Sequence, residues 1–127
     1  MDTSKEFIFM CKKSKEIQQF NWGRDGDFSF FEGDDDVSEG IQVWLLADGW
    51  YPRKESFIWL PRQDQLQDMI VTLGMSSATF LQTMANKVWD SMQSCDYYLQ
   101  FKSMEQLWLA FVMFDIWNKK WNGKDWR

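Results

Sequence analysis

The spacing of apolar positions predicts a helix near the start of the chain. Apolar side chains recur at the interval of one helical face, at Phe7, Met10, Cys11 and Ile17. Residues 3–6, Thr-Ser-Lys-Glu, have the S/T-x-x-E spacing of a capping box, a signal that opens many helices. Turn-forming residues occupy positions 21–26. The pattern therefore predicts a first helix over residues 4–20.

A change to two-residue alternation predicts a small antiparallel sheet after this helix. Residues 27–32 are rich in phenylalanine, and residues 56–60 are again aromatic and β-branched. Between them, residues 40–46 place Ile41, Val43 and Leu45 on one side of a strand. The glycine and the three aspartates of residues 33–36 are typical of a hairpin tip. The sequence thus predicts three strands, of which the first two form a hairpin.

Helical spacing returns after Pro61, since proline is favoured in the first turn of a helix. One apolar stripe runs through residues 66–73, and a second through residues 80–92 behind a cap at Ser76 or Ser77. A third helix follows Ser103, and its residues 107–117 are apolar on nearly every side, so we expect it to be the most buried. The predicted fold class is α+β: an N-terminal helix, a small three-stranded antiparallel sheet, then three helices packed on one face.

The composition is typical of one packed domain without metal or nucleophile chemistry. The chain has 127 residues, 45% hydrophobic and 18% aromatic, so we expect a single globular domain over residues 1–127. It contains no histidine, which removes the commonest general base and the commonest zinc ligand. Cys11 and Cys95 fit no metal-ligand spacing, and we expect both to be reduced, buried thiols. No cofactor, no metal site and no catalytic residue are predicted.

The chain shows no pattern of a secreted or membrane protein. Its opening residues lack the basic start and apolar run of a signal peptide. Its longest apolar run covers residues 107–114, whereas a membrane-spanning helix needs about twenty apolar residues. We therefore expect a cytoplasmic protein that does not bind a membrane.

The charge distribution singles out one segment. Residues 25–52 hold eight acids and no Lys or Arg. The whole chain carries a net −5, so the remaining residues carry a net +3. Because this segment coincides with the predicted hairpin, we expect its carboxylates along one edge of the fold, where they favour a basic partner. Such carboxylates can imitate the phosphates that a nucleic-acid-binding protein recognises, or they can prevent the sheet edge from pairing with another chain.

The candidate partner-binding residues are the acids of this hairpin and the aromatic residues beside it. Tyr and Trp are enriched in the energetic centres of interfaces. The set is Asp27, Glu32, Asp34, Asp35, Asp36, Glu39, Trp44, Trp50 and Tyr51. The acids do not follow the spacing of an EF-hand loop, so no ion site is predicted. Direct nucleic-acid binding is not expected, because the chain is acidic and the tryptophans among its C-terminal lysines have the spacing of a packed helical face.

Three stretches resemble a known group of proteins. Residues 59–69 read WLPRQDQLQDM, residues 103–113 read SMEQLWLAFVM, and residues 121–126 read WNGKDW. Together with KEFI at residues 5–8 and Met-Cys at 10–11, they resemble short, uncharacterised proteins encoded by bacteriophages and prophages. The resemblance implies a phage accessory protein acting in the bacterial host. It implies no activity and no functional residues.

Charge and resemblance lead to three functional hypotheses. The first is a small acidic phage accessory protein that acts by protein–protein binding, in its most specific form an inhibitor of a host defence nuclease such as a CRISPR effector. The second is a structural or regulatory phage factor that binds another phage protein, with a hairpin that only keeps the chain soluble. The third is an enzyme that uses carboxylates alone, for which Asp64 and Asp68, one helical turn apart, are the candidate pair. The sequence predicts no oligomeric state.

Overall fold

A computed structural model describes residues 1–20, 24, 26–33, 39–43, 57–72, 79, 82–83, 85–86 and 97–127. The order of elements is an N-terminal helical region, a three-stranded antiparallel sheet and then further helices, which confirms the predicted α+β class. The chain divides into two compact units, one formed by residues 1–62 with 123–125 and the other by residues 63–122 with 126–127. That residues 1–127 form a single domain stays a prediction.

The N-terminal helical region begins one residue later than the capping box predicts. Helix α1 spans Lys5–Lys13, and its N-cap is Ser4, whose Oγ accepts a hydrogen bond from the Phe7 N–H at 3.2 Å. The Ser4 N–H in turn donates to Asp2 Oδ1 at 2.8 Å. The capping residue is therefore Ser4 and not Thr3, since the serine hydroxyl reaches the unpaired N–H groups of the first turn.

The prediction of one helix over residues 4–20 is wrong at Ser14. This residue leaves the helical conformation with φ −85° and ψ 78°, and a short helix α2 follows at Lys15–Gln18. The Ser14 Oγ donates to the Cys11 carbonyl at 2.7 Å, while the Ser14 N–H points at the carbonyls of Met10 and Cys11. A serine side chain that bonds to its own local backbone competes with the regular helical ladder. The break separates α1 from α2.

The sheet has the three predicted strands, β1 at Phe28–Phe31, β2 at Gly40–Val43 and β3 at Phe57–Leu60. Their order is β2-β1-β3, and both pairings are antiparallel, so β1 lies in the centre. In the register Ser29 faces Gln42 on one side and Trp59 on the other. The predicted extension of the second strand to residue 46 and the predicted hairpin tip at residues 33–36 lie largely outside the described residues.

The two faces of the sheet differ in burial. On one face Ser29, Phe31, Phe57 and Trp59 are buried, and α1 packs against β3. On the other face burial fades across the strands: Ile58 and Leu60 of β3 are buried, Phe28 and Phe30 of β1 are half-buried, and Ile41 and Val43 of β2 are exposed. The alternating apolar residues of β2 therefore do not line a core.

In the second unit, helix α3 at Gln63–Thr72 packs against helix α4 at Met104–Trp117. Leu66, Met69 and Ile70 supply the buried face of α3, as their spacing predicts. Helical residues also occur at Thr79, Gln82, Thr83, Ala85 and Asn86, within the helix predicted behind Ser76 or Ser77, although Ala85 is exposed rather than part of a buried stripe. The rest of that predicted stripe lies outside the described residues.

The middle of helix α4 is buried on all sides, as predicted. Every residue from 108 to 113 is buried, which covers more than one and a half turns of helix. Ser103 caps its start, accepting from the Gln106 N–H at 3.1 Å, and Gln106 Oε1 accepts from the Lys102 N–H at the same distance. The helix ends at Asn118, which adopts the left-handed conformation with φ 55°. A short 3₁₀ helix, Tyr98–Gln100, precedes α4.

In the part of the chain that the structure describes, no helix has both the length and the apolar character needed to cross a membrane.

Candidate functional site

The side chain of Gln18, at the end of α2, bonds to the outer edge of β3 at Trp59. Its Oε1 accepts a hydrogen bond from the Trp59 N–H at 2.8 Å, and its Nε2 donates to the Trp59 carbonyl at 3.0 Å. The same Nε2 also donates a hydrogen bond to the Cys11 carbonyl at 3.1 Å. The amide thus pairs with Trp59 as a residue of a fourth strand would.

The bonds to Gln18 also fix which way the backbone of each strand faces. In an antiparallel sheet the N–H and C=O of one residue point to the same side, and successive residues alternate. Because Trp59 points outward to Gln18, its partner Ser29 points the opposite way, toward β2 and Gln42. Gln42 therefore bonds inward to β1.

The same alternation makes the backbone groups of Ile41 and Val43 point away from the sheet. These two residues flank Gln42 in β2, and the register with β1 is continuous over all four residue pairs. Among the described residues only β1 pairs with β2, so the outer side of Gly40–Val43 is an open edge. It presents two N–H donors and two C=O acceptors, from Ile41 and Val43.

Side chains at the open edge are exposed as well. Ile41 and Val43 are 41% and 48% exposed, and Gln42 on the opposite face is also exposed. Together with the half-buried rings of Phe28 and Phe30, they form an apolar strip beside the edge. An exposed apolar strip next to unpaired backbone groups is typical of a site where another chain adds a strand.

The structure separates the candidate acids from one another. Glu39 is exposed and directly precedes β2. Glu32, just after β1, is half-exposed and forms an ion pair with Lys12 of α1, with Oε2 at 2.9 Å from Nζ. Asp34, Asp35, Asp36, Trp44, Trp50 and Tyr51 lie outside the described residues. Two candidate acids, Glu32 and Glu39, thus lie at the surface at the two ends of the hairpin connection.

Asp27 does not belong to the exposed acidic surface that the sequence predicts. It is only 3% exposed, and its Oδ2 accepts from the Arg24 N–H at 2.8 Å. Arg62 approaches its Oδ1 at 3.9 Å and donates to the Gly26 carbonyl at 2.8 Å. Gly26, which lies between Arg24 and Asp27 in the sequence, has φ +85°, a conformation that favours glycine. The carboxylate of Asp27 therefore holds the turn that leads into β1, a role that the local Asp-Gly-Asp turn signal could have indicated.

The described acids and the thiol are spread over the fold. No three His, Cys, Asp or Glu side chains among them lie close enough to hold a metal ion. Asp64 and Asp68 are both exposed on α3, as a solvated helix face requires. Cys11 is a buried thiol, and burial, with a smaller contribution from the charge of Asp2, raises the pKa of Cys11 well above its ordinary 9.0. The thiol is therefore not ionised at neutral pH.

The C-terminal aromatic residues form a packed cluster. Trp121 and Trp126 are buried, pair across an isolated β-bridge and place their ring centroids 5.1 Å apart. The Trp121 N–H donates to the Tyr97 hydroxyl at 2.8 Å; burial outweighs this bond and raises the pKa of Tyr97 to about 12. Lys120 lies over the rings of both Tyr97 and Phe114. Trp121 and Trp126 thus pack beyond the end of α4 and across a β-bridge, and not on the helical face that the spacing of the tryptophans predicts.

The comparisons with known proteins add no family. No protein-family model matches the chain, and neither the curated proteins nor the solved structures contain a significant match. The resemblance to phage-encoded proteins therefore stays an expectation that rests on the quoted stretches alone.

Proposed function

We propose that this chain is a binding protein that engages a basic protein surface through the β1–β2 hairpin. The observation that carries the proposal is the coincidence of two features in residues 25–52: the acids without any Lys or Arg, and a strand with an exposed outer edge. Acidic surfaces attract basic partners over several ångströms and accelerate their encounter. Backbone groups and apolar side chains at the edge supply short-range contacts.

The more specific proposal concerns the kind of partner. Carboxylates along a hairpin can occupy a groove that normally holds phosphates, so a nucleic-acid-binding protein is the partner we favour. The resemblance to phage-encoded proteins supports an accessory protein that inhibits a host defence nuclease, in the manner of an anti-CRISPR protein. A structural or regulatory role through another phage protein is the alternative, and the identity of the captured partner distinguishes the two.

The test compares two variants that remove the same charge from different places. The first carries Asp34→Asn, Asp35→Asn and Asp36→Asn within the acidic segment. The control carries Glu6→Gln, Asp64→Asn and Asp115→Asn, three exposed acids outside it. Partners captured from bacterial lysate are identified by mass spectrometry, and association rates are then measured for each purified partner at low and at physiological ionic strength.

We expect the first variant to associate about tenfold or more slowly at low ionic strength, because electrostatic steering raises association rates by roughly 10- to 1000-fold. The control should differ from the wild type by less than about twofold, since its carboxylates lie outside the acidic segment. The difference should shrink as salt screens the charges. Equal association rates for the two variants would contradict the proposal.

A further inference from the structure

The inference drawn here rests on the proposed function and concerns how the partner is held. We infer that the partner contributes an extended, Lys- or Arg-containing segment that adds to the open edge of β2 as a fourth strand of the sheet. Strand addition of this kind draws its affinity from main-chain hydrogen bonds and its selectivity from alternate side chains. Three features of the first unit support this arrangement.

The first feature is the unequal treatment of the two edges. At β3 the amide of Gln18 satisfies both the N–H and the C=O of Trp59, and α1 packs alongside. At β2 no side chain among the described residues bonds to the outer edge in a comparable way. Among the described residues, a side chain thus bonds to the outer edge of β3 at Trp59, whereas no strand pairs with the outer edge of β2.

The second feature is the direction of the backbone groups. Gln42 bonds inward to Ser29, so the N–H and C=O of Ile41 and Val43 point outward. Their spacing matches the pairs of bonds that one antiparallel strand exchanges with the next. A strand that pairs here requires no conformational change in β2, because the outward N–H and C=O groups of β2 already point toward it.

The third feature is the chemistry around the edge, which selects the sequence of the added strand. Ile41 and Val43, exposed on the face that also carries Phe28 and Phe30, require apolar side chains at alternate positions of the partner. Glu39 is exposed directly before β2, and residues 25–52 contain no Lys or Arg, so basic side chains are favoured in the partner strand. The fitting segment alternates apolar residues with Lys or Arg.

A second copy of this chain is a poorer occupant of the same edge. Pairing β2 with β2 would bring together two segments that each hold eight acids and no base, in chains that each carry a net −5. Like charges that face one another across strands are destabilising. A basic strand removes this repulsion, and we therefore assign the edge to a basic partner.

The test uses a short capped peptide of alternating Lys and Val as the probe. Two matched peptides accompany it: one N-methylated on every second residue, which blocks pairing along one edge, and one in which Glu replaces Lys. Binding to the full chain is followed by amide hydrogen exchange in NMR spectra at low ionic strength. We expect slower exchange of the Ile41 and Val43 amides with the Lys/Val peptide, and a roughly 2- to 10-fold loss of affinity for each hydrogen bond that N-methylation removes.

Two variants of the protein test the same hydrogen bonds by changing β2 instead of the peptide. Val43→Pro removes one outward N–H and no bond to β1, whereas Val43→Ala removes the side chain and keeps the N–H. Both should remain folded, which thermal unfolding checks. Val43→Pro should bind the Lys/Val peptide more weakly than Val43→Ala. If Val43→Pro does not fold, the exchange measurement on the wild-type chain decides the matter alone.

The outcomes separate this inference from the proposed function. If the Lys/Val and N-methylated peptides bind equally, with no protection of Ile41 and Val43, the added strand is wrong and the acidic surface still stands. If no basic probe binds better than the Glu peptide at any ionic strength, both fail. If sedimentation shows that the wild-type chain pairs with itself through this edge, with Val43→Pro abolishing the pairing, the occupant is a second copy and the basic strand is overturned.

Discussion

The side chain of Gln18 takes the place of one residue of a neighbouring strand. Its side-chain amide serves three buried or partly buried backbone groups, the N–H and C=O of Trp59 and the C=O of Cys11. Trp59 is only 4% exposed, so water does not readily substitute for the glutamine. The stability of the β3 edge therefore depends on an amide that has both a donor and an acceptor in reach.

We expect Gln18→Ala to lower the free energy of unfolding by about 1–3 kcal/mol, the usual effect of leaving buried backbone groups unsatisfied. Gln18→Glu should be at least as damaging, because the carboxylate keeps the acceptor for the Trp59 N–H but faces the carbonyls of Trp59 and Cys11 without a donor. Denaturant unfolding followed by tryptophan fluorescence measures both.

The neighbouring Gln19 provides the control for this prediction. Its side chain is exposed, and Gln19→Ala should change the stability by less than about 0.5 kcal/mol. If Gln18→Ala is as mild as Gln19→Ala, the amide does not hold the edge.

The sequence predicts the role of a single residue only where its hydrogen-bonding partner is close along the chain. The cap at Ser103 has its partner, the Gln106 N–H, only three residues away, in the S-x-x-Q spacing of a capping box. The role of Gln18 does not follow from any local pattern, because its partner Trp59 lies 41 positions away. The burial of Asp27 does not follow from the sequence for a related reason. Its charge indicates exposure, whereas its bond to the Arg24 N–H and the nearby Arg62 allow it to be buried.

At the level of elements, periodicity locates helices and strands well and their interruptions poorly. All three strands and the helices α3 and α4 occur where the apolar spacing predicts them. The break at Ser14 was missed because apolar spacing continues across it to Ile17, which is buried, while the break arises from a serine hydroxyl bonding to the Cys11 carbonyl. The exposed β2 was also missed, since alternation indicates a strand but not whether anything covers its apolar side.

Helix α4 is the element whose packing has the clearest energetic consequence. Phe111 is completely buried in it and meets Trp108 with ring centroids 6.3 Å apart in an edge-to-face arrangement. Phe111→Ala should lower the free energy of unfolding by about 3–5 kcal/mol, because it removes buried apolar surface and leaves a cavity. That is a large part of the stability of an ordinary domain, so thermal unfolding should shift strongly or disappear.

Met104, 49% exposed at the first position of the same helix, provides the matched control. Met104→Ala should change the stability by less than about 0.5 kcal/mol. A melting temperature of Phe111→Ala within a few degrees of that of Met104→Ala would show that α4 is peripheral to the core.

At the scale of the whole molecule, the acidic segment of residues 25–52 and the exposed edge of β2 are related. The acids of residues 25–52 are not balanced within the segment, and the rest of the chain carries a net +3. A concentration of like charge weakens a compact state slightly, yet it keeps two such edges apart. Under the proposed function, the same carboxylates attract a basic partner and also prevent the chain from pairing with itself.

This double role predicts how the molecule responds when the charge is removed. Asp34→Asn, Asp35→Asn and Asp36→Asn together should leave the stability within about 0.5 kcal/mol, because neighbouring carboxylates repel one another in the unfolded chain as well. Self-association should increase, and more so at about 0.5 M salt, where the remaining charges are screened over a few ångströms. Adding Val43→Pro to the triple variant should restore the monomer, since it removes an outward N–H from the open edge. Sedimentation velocity of the wild type, the triple variant and the quadruple variant measures this directly. A triple variant that stays monomeric wherever the wild type does would show that the charges do not guard the edge, and a quadruple variant that still associates would place the contact elsewhere.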